Sequence, residues 1–202
     1  MIKAIIFDMG GVVVNRTDYI IPEEIAHSFG VSLEIAKQAY DEAMKDNAFQ
    51  KGIISEEEVC QRIQYFLNKP LPHDYKTIFT KQMQITHLQK EVLDIVNSLK
   101  KNGYIIPLLS NTCKPHVEYH KKHGDYHLFS PLILSSEVGF AKPDAEIYLI
   151  ALKKINCKPE EAVFIDDKQK CVDGAIAVGI YGILFQNAKQ LLSDLRNLGV
   201  KV

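Results

Sequence analysis

Five short apolar runs punctuate the chain at residues 2–7, 104–109, 132–134, 162–165 and 180–185, and stretches with helical spacing separate those in the second half. The runs are nearly continuous in Ile, Val, Leu and Phe instead of alternating with polar residues, which is the pattern of strands covered on both faces. Such strands pair in parallel, and each parallel pair needs a crossover, usually a helix. The expected architecture is an α/β fold: a Rossmann-like, doubly wound parallel sheet.

One stretch breaks the alternation. Residues 22–67 carry no strand signal; Ala26, Phe29, Ile35, Ala39 and Ala43 lie near helical spacing, and Gly52 interrupts. Ser55 followed by Glu56, Glu57 and Glu58 then reads as an N-cap with acids in the first turn of another helix. Pro70 and Pro72 end that block, and a further helix is expected over about residues 75–84. The spacing thus divides the chain into an α/β core, residues 1–14 and 87–202, and an inserted α-helical cap, residues 15–86. Inside the core, Val92, Leu93, Ile95, Val96 and Leu99 mark a helix that should stop at Asn102-Gly103, a pair suited to a left-handed C-cap.

Composition narrows the function classes. Of 202 residues, 47% are hydrophobic and 24% charged, so the chain has material for a packed core and is not of disordered type. Lys+Arg (24) nearly balances Asp+Glu (25), and no basic footprint for nucleic acid is visible. The first apolar run is too short for a signal segment or a membrane span and ends on Asp8, so no membrane partner is expected. Cys60, Cys113, Cys157 and Cys171 form no CxxC pair, and free thiols suit a reducing, cytoplasmic location.

In doubly wound sheets, ligands bind outside the carboxyl ends of the strands. The residues there are Asp8 after the first run, Ser110-Asn111-Thr112 after the second, and Asp166-Asp167 after the fourth, with Lys142 just beyond the third. Carboxylates, a hydroxyl and an ammonium on one rim suit Mg²⁺-dependent phosphoryl transfer. A carboxylate can attack phosphorus if its charge and that of the phosphate are offset. Mg²⁺ held by a few carboxylates supplies most of that offset, and it is a natural reason to set two acids side by side. Lys142, Ser110 and backbone N–H groups around Gly10, Gly11 and Asn111 would stabilise the remaining oxygens. Taken singly, each position has an ordinary explanation as a cap or turn residue; their joint order on one rim does not.

These motifs resemble the haloacid dehalogenase-like hydrolase superfamily. The resemblance lies in Ile5-Ile6-Phe7-Asp8-Met9-Gly10-Gly11-Val12, then Leu108-Leu109-Ser110-Asn111-Thr112, then Lys142-Pro143-Asp144, then Phe164-Ile165-Asp166-Asp167. It spans the core, and the helical insertion falls where that family places its small α-helical (C1) cap. The resemblance implies that Asp8 is the nucleophile and a Mg²⁺ ligand, with the Gly10 carbonyl and Asp166 as further ligands. Asp167 would ligate directly or through water, Ser110 would bind the phosphoryl group, and Lys142 would bridge Asp8 and phosphate. Gly11, Asn111 and Lys51 are the expected substrate contacts. The family's usual reaction is phosphate monoester hydrolysis.

One position departs from the pattern. Where phosphatases of the family carry a second Asp as general acid and base, this chain has Gly10, as in the sugar-phosphatase-like Asp-x-Gly-(Gly/Asn)-Val group. The dehalogenase branch expects an aromatic residue there, and the phosphonatase branch needs a cap lysine, for which Lys45, Lys51 and Lys69 are the available residues. Neither displaces a phosphatase. Lys51, in Phe49-Gln50-Lys51-Gly52-Ile53-Ile54-Ser55, is the cap residue expected to reach a substrate oxygen, with Arg16 a weaker candidate. His116, His120, His123 and His127 cluster, but with no third ligand evident they read as an ordinary surface helix. The function expected is a Mg²⁺-dependent phosphatase of small phosphorylated metabolites, with sugar phosphates the expected class, acting through an aspartyl-phosphate on Asp8. The alternative is a metal- and phosphate-binding regulatory module that has lost turnover with the acid.

Overall fold

The computed structural model describes residues 1–17, 20–73, 75 and 78–202. Five strands, β1 (Ala4–Phe7), β2 (Leu108–Ser110), β3 (Leu132–Leu134), β4 (Ala162–Asp166) and β5 (Tyr181–Leu184), form one sheet in the order β3-β2-β1-β4-β5. Every pairing is parallel, with β1 registered against β4 from Ala4 opposite Ala162 to Phe7 opposite Ile165. This is the expected doubly wound α/β architecture.

Helices cover both faces. Alternate residues of β1 serve different layers, as a pleated strand requires. Ile5 and Phe7 join Val163 and Ile165 in one apolar cluster with Val92, Ile95, Val96 and Leu99 of α4 (Lys90–Lys101) and Leu191 and Leu195 of α9 (Ala188–Asn197). Ala4 and Ile6 join Leu109 and Phe164 in a second, built with α7 (Ala145–Ile155) and α8 (Gln169–Ala177). Gly103 ends α4 with φ +86°, the left-handed turn expected there.

The second strand is shorter than its apolar run. Ile105 and Ile106 make only isolated bridges, and regular pairing begins at Leu108, after Pro107, which has no N–H to give to a ladder.

Residues 20–67 form three helices, α1 (Ile20–Phe29), α2 (Leu33–Met44) and α3 (Glu56–Leu67). They bury a separate apolar cluster that includes Ile21, Ile25, Phe29, Phe49, Val59, Ile63, Ile78 and Phe79. Ser55 caps α3 with a full capping box to Glu58. On α2 the buried face is Ala36, Ala39 and Ala43, while Ile35 is exposed: the three small residues lie at i, i+3 and i+7 and let the neighbouring helices approach closely. The helix expected over residues 75–84 does not form as such. Residues 76 and 77 lie outside the described set, and the rest is a set of turns followed by a 3₁₀ helix, Lys81–Ile85. Burial of Ile78, Phe79 and Met83 holds this connection against its local helical pattern. Among the described residues no helix is long and apolar enough to cross a membrane.

Candidate active site

Four chain segments reach the carboxyl edge of the sheet and place their polar residues together. The end of β1 delivers Asp8, 7% exposed, whose N–H donates to the Ile165 carbonyl. The end of β4 delivers Asp166, 1% exposed, and Asp167, and β2 ends on Ser110, 4% exposed. Carboxylate oxygens of Asp8, Asp166 and Asp167 lie within 4.8 Å of one another.

Lys142 enters this acidic group from the segment between α6 (Ser135–Val138) and α7. Its Nζ donates to Asp8 Oδ1 (2.6 Å), Asp166 Oδ2 (2.7 Å) and the Leu109 carbonyl (3.0 Å), so all three ammonium protons are used. The ammonium also sits 5.2 Å from the Phe164 ring centroid. Its backbone is held by one side chain: Asn111 Nδ2 donates to the Lys142 carbonyl (2.8 Å), and the Lys142 N–H donates to Asn111 Oδ1 (2.7 Å). Asn111, expected to touch substrate, thus positions Lys142.

Electrostatics follow from this packing. Burial pushes the Asp8 carboxyl up to about 6, with Asp166 adding to the rise, although Lys142 opposes it. For Lys142, burial disfavours the charge, but Asp8 and Asp166 overcome it and hold the pKa above the ordinary lysine value. Lys142 is therefore a permanent cation facing carboxylates whose negative charge it does not fully offset.

The turn after β1 is tight: Val13 and Val14 both donate backbone N–H groups to the Met9 carbonyl. Gly11 has φ +84°, and a Cβ there would lie 2.5 Å from Asp167 Oδ2, so only glycine brings the backbone against that carboxylate. Nothing lies within 4 Å of a Cβ placed on Gly10, which lines the cavity. Arg16 stands 3.7 Å from Asp167.

A cavity of about 820 Å³ opens over this edge. Asp8, Gly10, Gly11, Ser110, Asn111, Thr112, Lys142, Asp166 and Asp167 line it from the sheet. Tyr40, Asp41, Asn47 and Gln50 line it from the helical segment. Lys51 is not among them: its Nζ pairs with Asp144 Oδ2 at 2.8 Å. Sequence reasoning missed Ser135, whose hydroxyl accepts the Thr112 N–H beside the site, because nothing in its local spacing sets it apart.

The histidines do not converge. His116 Nε2 meets the Phe79 carbonyl (2.6 Å), His120 Nδ1 meets Asp125 (2.7 Å), and His123 and His127 bond backbone carbonyls of Tyr119 and Gly124. His120 is buried, so α5 (Lys114–His123) is less of a surface helix than its polar sequence suggests. Among the described residues, Asp8, Asp166 and Asp167 form the one group of ligating side chains that could hold a metal.

A parallel sheet with a lysine-bridged acidic cluster at the carboxyl end of its central strand defines an α/β protein with a candidate metal-holding site at its topological switch. The model of the haloacid dehalogenase-like hydrolases matches residues 2–179, and the chain belongs to that family. It is 24% identical over 199 residues to a sesquiterpene phosphatase of Aspergillus oryzae, covering 97% of this chain and 96% of that one. A glyceraldehyde 3-phosphate phosphatase of Methanothermobacter thermautotrophicus is 36% identical over 91 residues, 43% of this chain and 39% of its own length. Among solved structures, a family enzyme of Bacteroides thetaiotaomicron in complex with magnesium and inorganic phosphate superposes with a TM-score of 0.73 at 24% identity, covering 95% of this chain and 99% of that one. A predicted family hydrolase of Porphyromonas gingivalis gives 0.75 at 23% identity, with 98% of both chains covered.

Proposed function

We propose that this hydrolase is a Mg²⁺-dependent phosphatase of small phosphorylated metabolites, with sugar phosphates the favoured class, working through an aspartyl-phosphate on Asp8. The observation that carries the reading is the buried Lys142 shared between Asp8 and Asp166 (2.6 and 2.7 Å) with Asp167 beside them. A structural ion pair would need one acid; Asp8 and Asp166 share Lys142, and Asp167 faces the largely exposed Arg16, so the cluster keeps negative charge that suits a divalent cation.

The donor set fits Mg²⁺: all-oxygen, carboxylate-rich and open to solvent on the cavity side. Asp8, Asp166 and Asp167 would hold it, with the Gly10 carbonyl completing the protein ligands. When bound, the cation supplies positive charge that keeps Asp8 ionised and offsets phosphoryl charge.

The chain's own residues then divide the work. The Asp8 oxygen that Lys142 does not hold attacks phosphorus and the ester oxygen departs with the bonding pair. Lys142, fixed by Asn111, orients Asp8, and its positive charge offsets charge on the phosphoryl group. Ser110 and backbone N–H groups of the 9–12 turn and Asn111 donate to the others. Water then attacks the aspartyl-phosphate, releasing phosphate and restoring the Asp8 carboxylate. Gly10 brings no acid to the departing oxygen, which favours leaving groups that are stable as anions.

Residues 15–86 act in this reading as the cap over the site, and the four thiols, all unpaired, support a reducing cytoplasmic location. A metal- and phosphate-binding module without turnover is the less favoured reading, since binding alone does not call for a nucleophile held by a buried lysine. A screen of phosphorylated metabolites with Mg²⁺, with Asp8→Asn as negative control, tests the proposal. Release of phosphate by wild type alone supports it, and equal release by both proteins refutes it.

A further inference from the structure

The turn after α5 builds an imidazole–carboxylate pair that the phosphoryl chemistry does not use. Asp125 donates its backbone N–H to the His120 carbonyl (3.0 Å), and its carboxylate takes the His120 Nδ1–H (2.7 Å). An ionised carboxylate only accepts, so Nδ1 carries the proton and Nε2 of the neutral ring is left as an acceptor. Tyr126 follows, its ring 5.5 Å from the imidazole, with Oη as a donor. Burial and the neighbouring Asp125 push the phenol pKa up, so this hydroxyl keeps its proton.

His120 and Tyr126 are only 4% and 7% exposed, yet both line the cavity over the strand ends. Among the described residues neither Nε2 nor Oη has a hydrogen-bonding partner, and neither atom is sealed off from accessible space. Such groups are uncommon in a folded interior, because each gives up hydration without a protein contact in return; opening into a cavity, they are placed for a ligand or an ordered water. Val14, from the same apolar cluster as Tyr126, lines the cavity as well and gives the ligand's carbon skeleton a wall.

An acceptor beside a donor matches one functional group best. An alcohol hydroxyl gives its proton to Nε2 and takes one from Oη, whereas a phosphate, a carboxylate or an ammonium satisfies only one of the two. Distance selects the length of the ligand. His120 lies six residues beyond Lys114, the first residue of α5, which is about 9 Å along a helix that starts just after Ser110 and Thr112. A hydroxyl next to the phosphate does not span that; one several carbons away does.

We propose that His120 and Tyr126 form a hydroxyl-reading subsite of this cavity, selecting phosphorylated polyols that present a hydroxyl far from phosphorus, hexose phosphates over triose phosphates. The assignment rests on the phosphatase reading for its substrate, but binding reads it without turnover. The probes are hydrolysis-resistant phosphonate analogues of hexose 1- and 6-phosphates and of glycerol 3-phosphate, with ethylphosphonate as the hydroxyl-free control, titrated by calorimetry with Mg²⁺. Wild type should bind a hexose analogue at least about fivefold tighter than the glycerol analogue or ethylphosphonate. Tyr126→Phe keeps the ring in its cluster and removes an oxygen that no protein group holds. It should weaken the hexose analogue by about three- to tenfold, one neutral hydrogen bond, and leave ethylphosphonate unchanged. His120→Phe, shown folded by its melting curve, should act in the same way; if it does not fold, Tyr126→Phe decides. No preference for a hexose analogue in wild type, including no binding at all, overturns the subsite, as does an unchanged hexose affinity in Tyr126→Phe, which would leave the two atoms to water. Equal losses on the hexose analogue and ethylphosphonate overturn it too. A wild type that binds with this selectivity yet releases no phosphate from the corresponding esters would sink the phosphatase reading and leave the subsite standing.

Discussion

Gly10 is the position where a substitution should add function. A Cβ built there has no heavy atom within 4 Å, and the backbone is not in the left-handed region, so Gly10→Asp introduces neither clash nor strain. The side chain would enter the cavity beside Asp8, where a general acid is lacking. A positioned acid–base group is worth about 10²–10⁴-fold in rate, so even a poorly aligned carboxyl should raise kcat on a primary alkyl phosphate by at least about tenfold. An aryl phosphate, whose leaving group departs as a stable anion, should gain much less. Opposing this, a fourth carboxylate near Asp8, Asp166 and Asp167 repels each by about 1–3 kcal/mol at separations near 6 Å and intermediate dielectric. The variant should therefore melt lower than wild type without metal and recover more on Mg²⁺ addition. The assay compares kcat for p-nitrophenyl phosphate and a hexose 6-phosphate in both proteins. Wild type should prefer the aryl ester and hexose 1-phosphates, and the variant should narrow the gap. An unchanged alkyl-to-aryl ratio, with the Mg²⁺ melting shift intact, would refute the claim that the site lacks only a proton donor at this position.

Asp8→Asn should keep the fold, as measured by circular dichroism, and lose phosphate release to below about one part in 10³, because an amide is not a nucleophile towards phosphorus. Mg²⁺ should raise the melting temperature of wild type and raise it less in Asp166→Ala, since binding to the native state alone stabilises it; equal shifts place the metal elsewhere. Gly11→Ala should cost about 1–2 kcal/mol from its positive φ, a fall of roughly 2–8 °C in melting temperature, and should weaken the Mg²⁺ shift by displacing Asp167. Burial pushes His116 down to about 4, whereas an unfolded histidine titrates near 6.5. The unfolded chain thus binds the extra proton first, and stability should fall as pH drops from about 6.5 to 4, by about 2 kcal/mol once partial solvent screening is allowed for. His116→Gln should flatten that part of the pH–stability curve, and an unchanged slope would assign it to other groups.

What could be read from the sequence was local. Buried parallel strands are apolar along their whole length, so β1 and β4 announce themselves, and the residues that follow them must lie at one edge. Ser55 and Glu58 form a capping box because both partners sit within a single helical turn. Asp8, Ser110, Lys142 and Asp166 were legible as candidates because each stands at or near a strand end, where a doubly wound sheet collects its chemistry. Their relation was not. Lys142 and Asp8 are 134 residues apart, and only packing of both sheet faces makes them share a proton-bonded contact. The same holds for Asn111 as the brace of Lys142, for Lys51 turning to Asp144, and for Ser135 joining Thr112 to Gln50. Tertiary packing also chose Ala36 over Ile35 for the buried face of α2 and turned the 81–85 stretch into a 3₁₀ helix. Periodicity and capping are short-range properties carried by neighbouring residues, whereas a hydrogen bond between distant segments exists only once the core has set where each backbone lies.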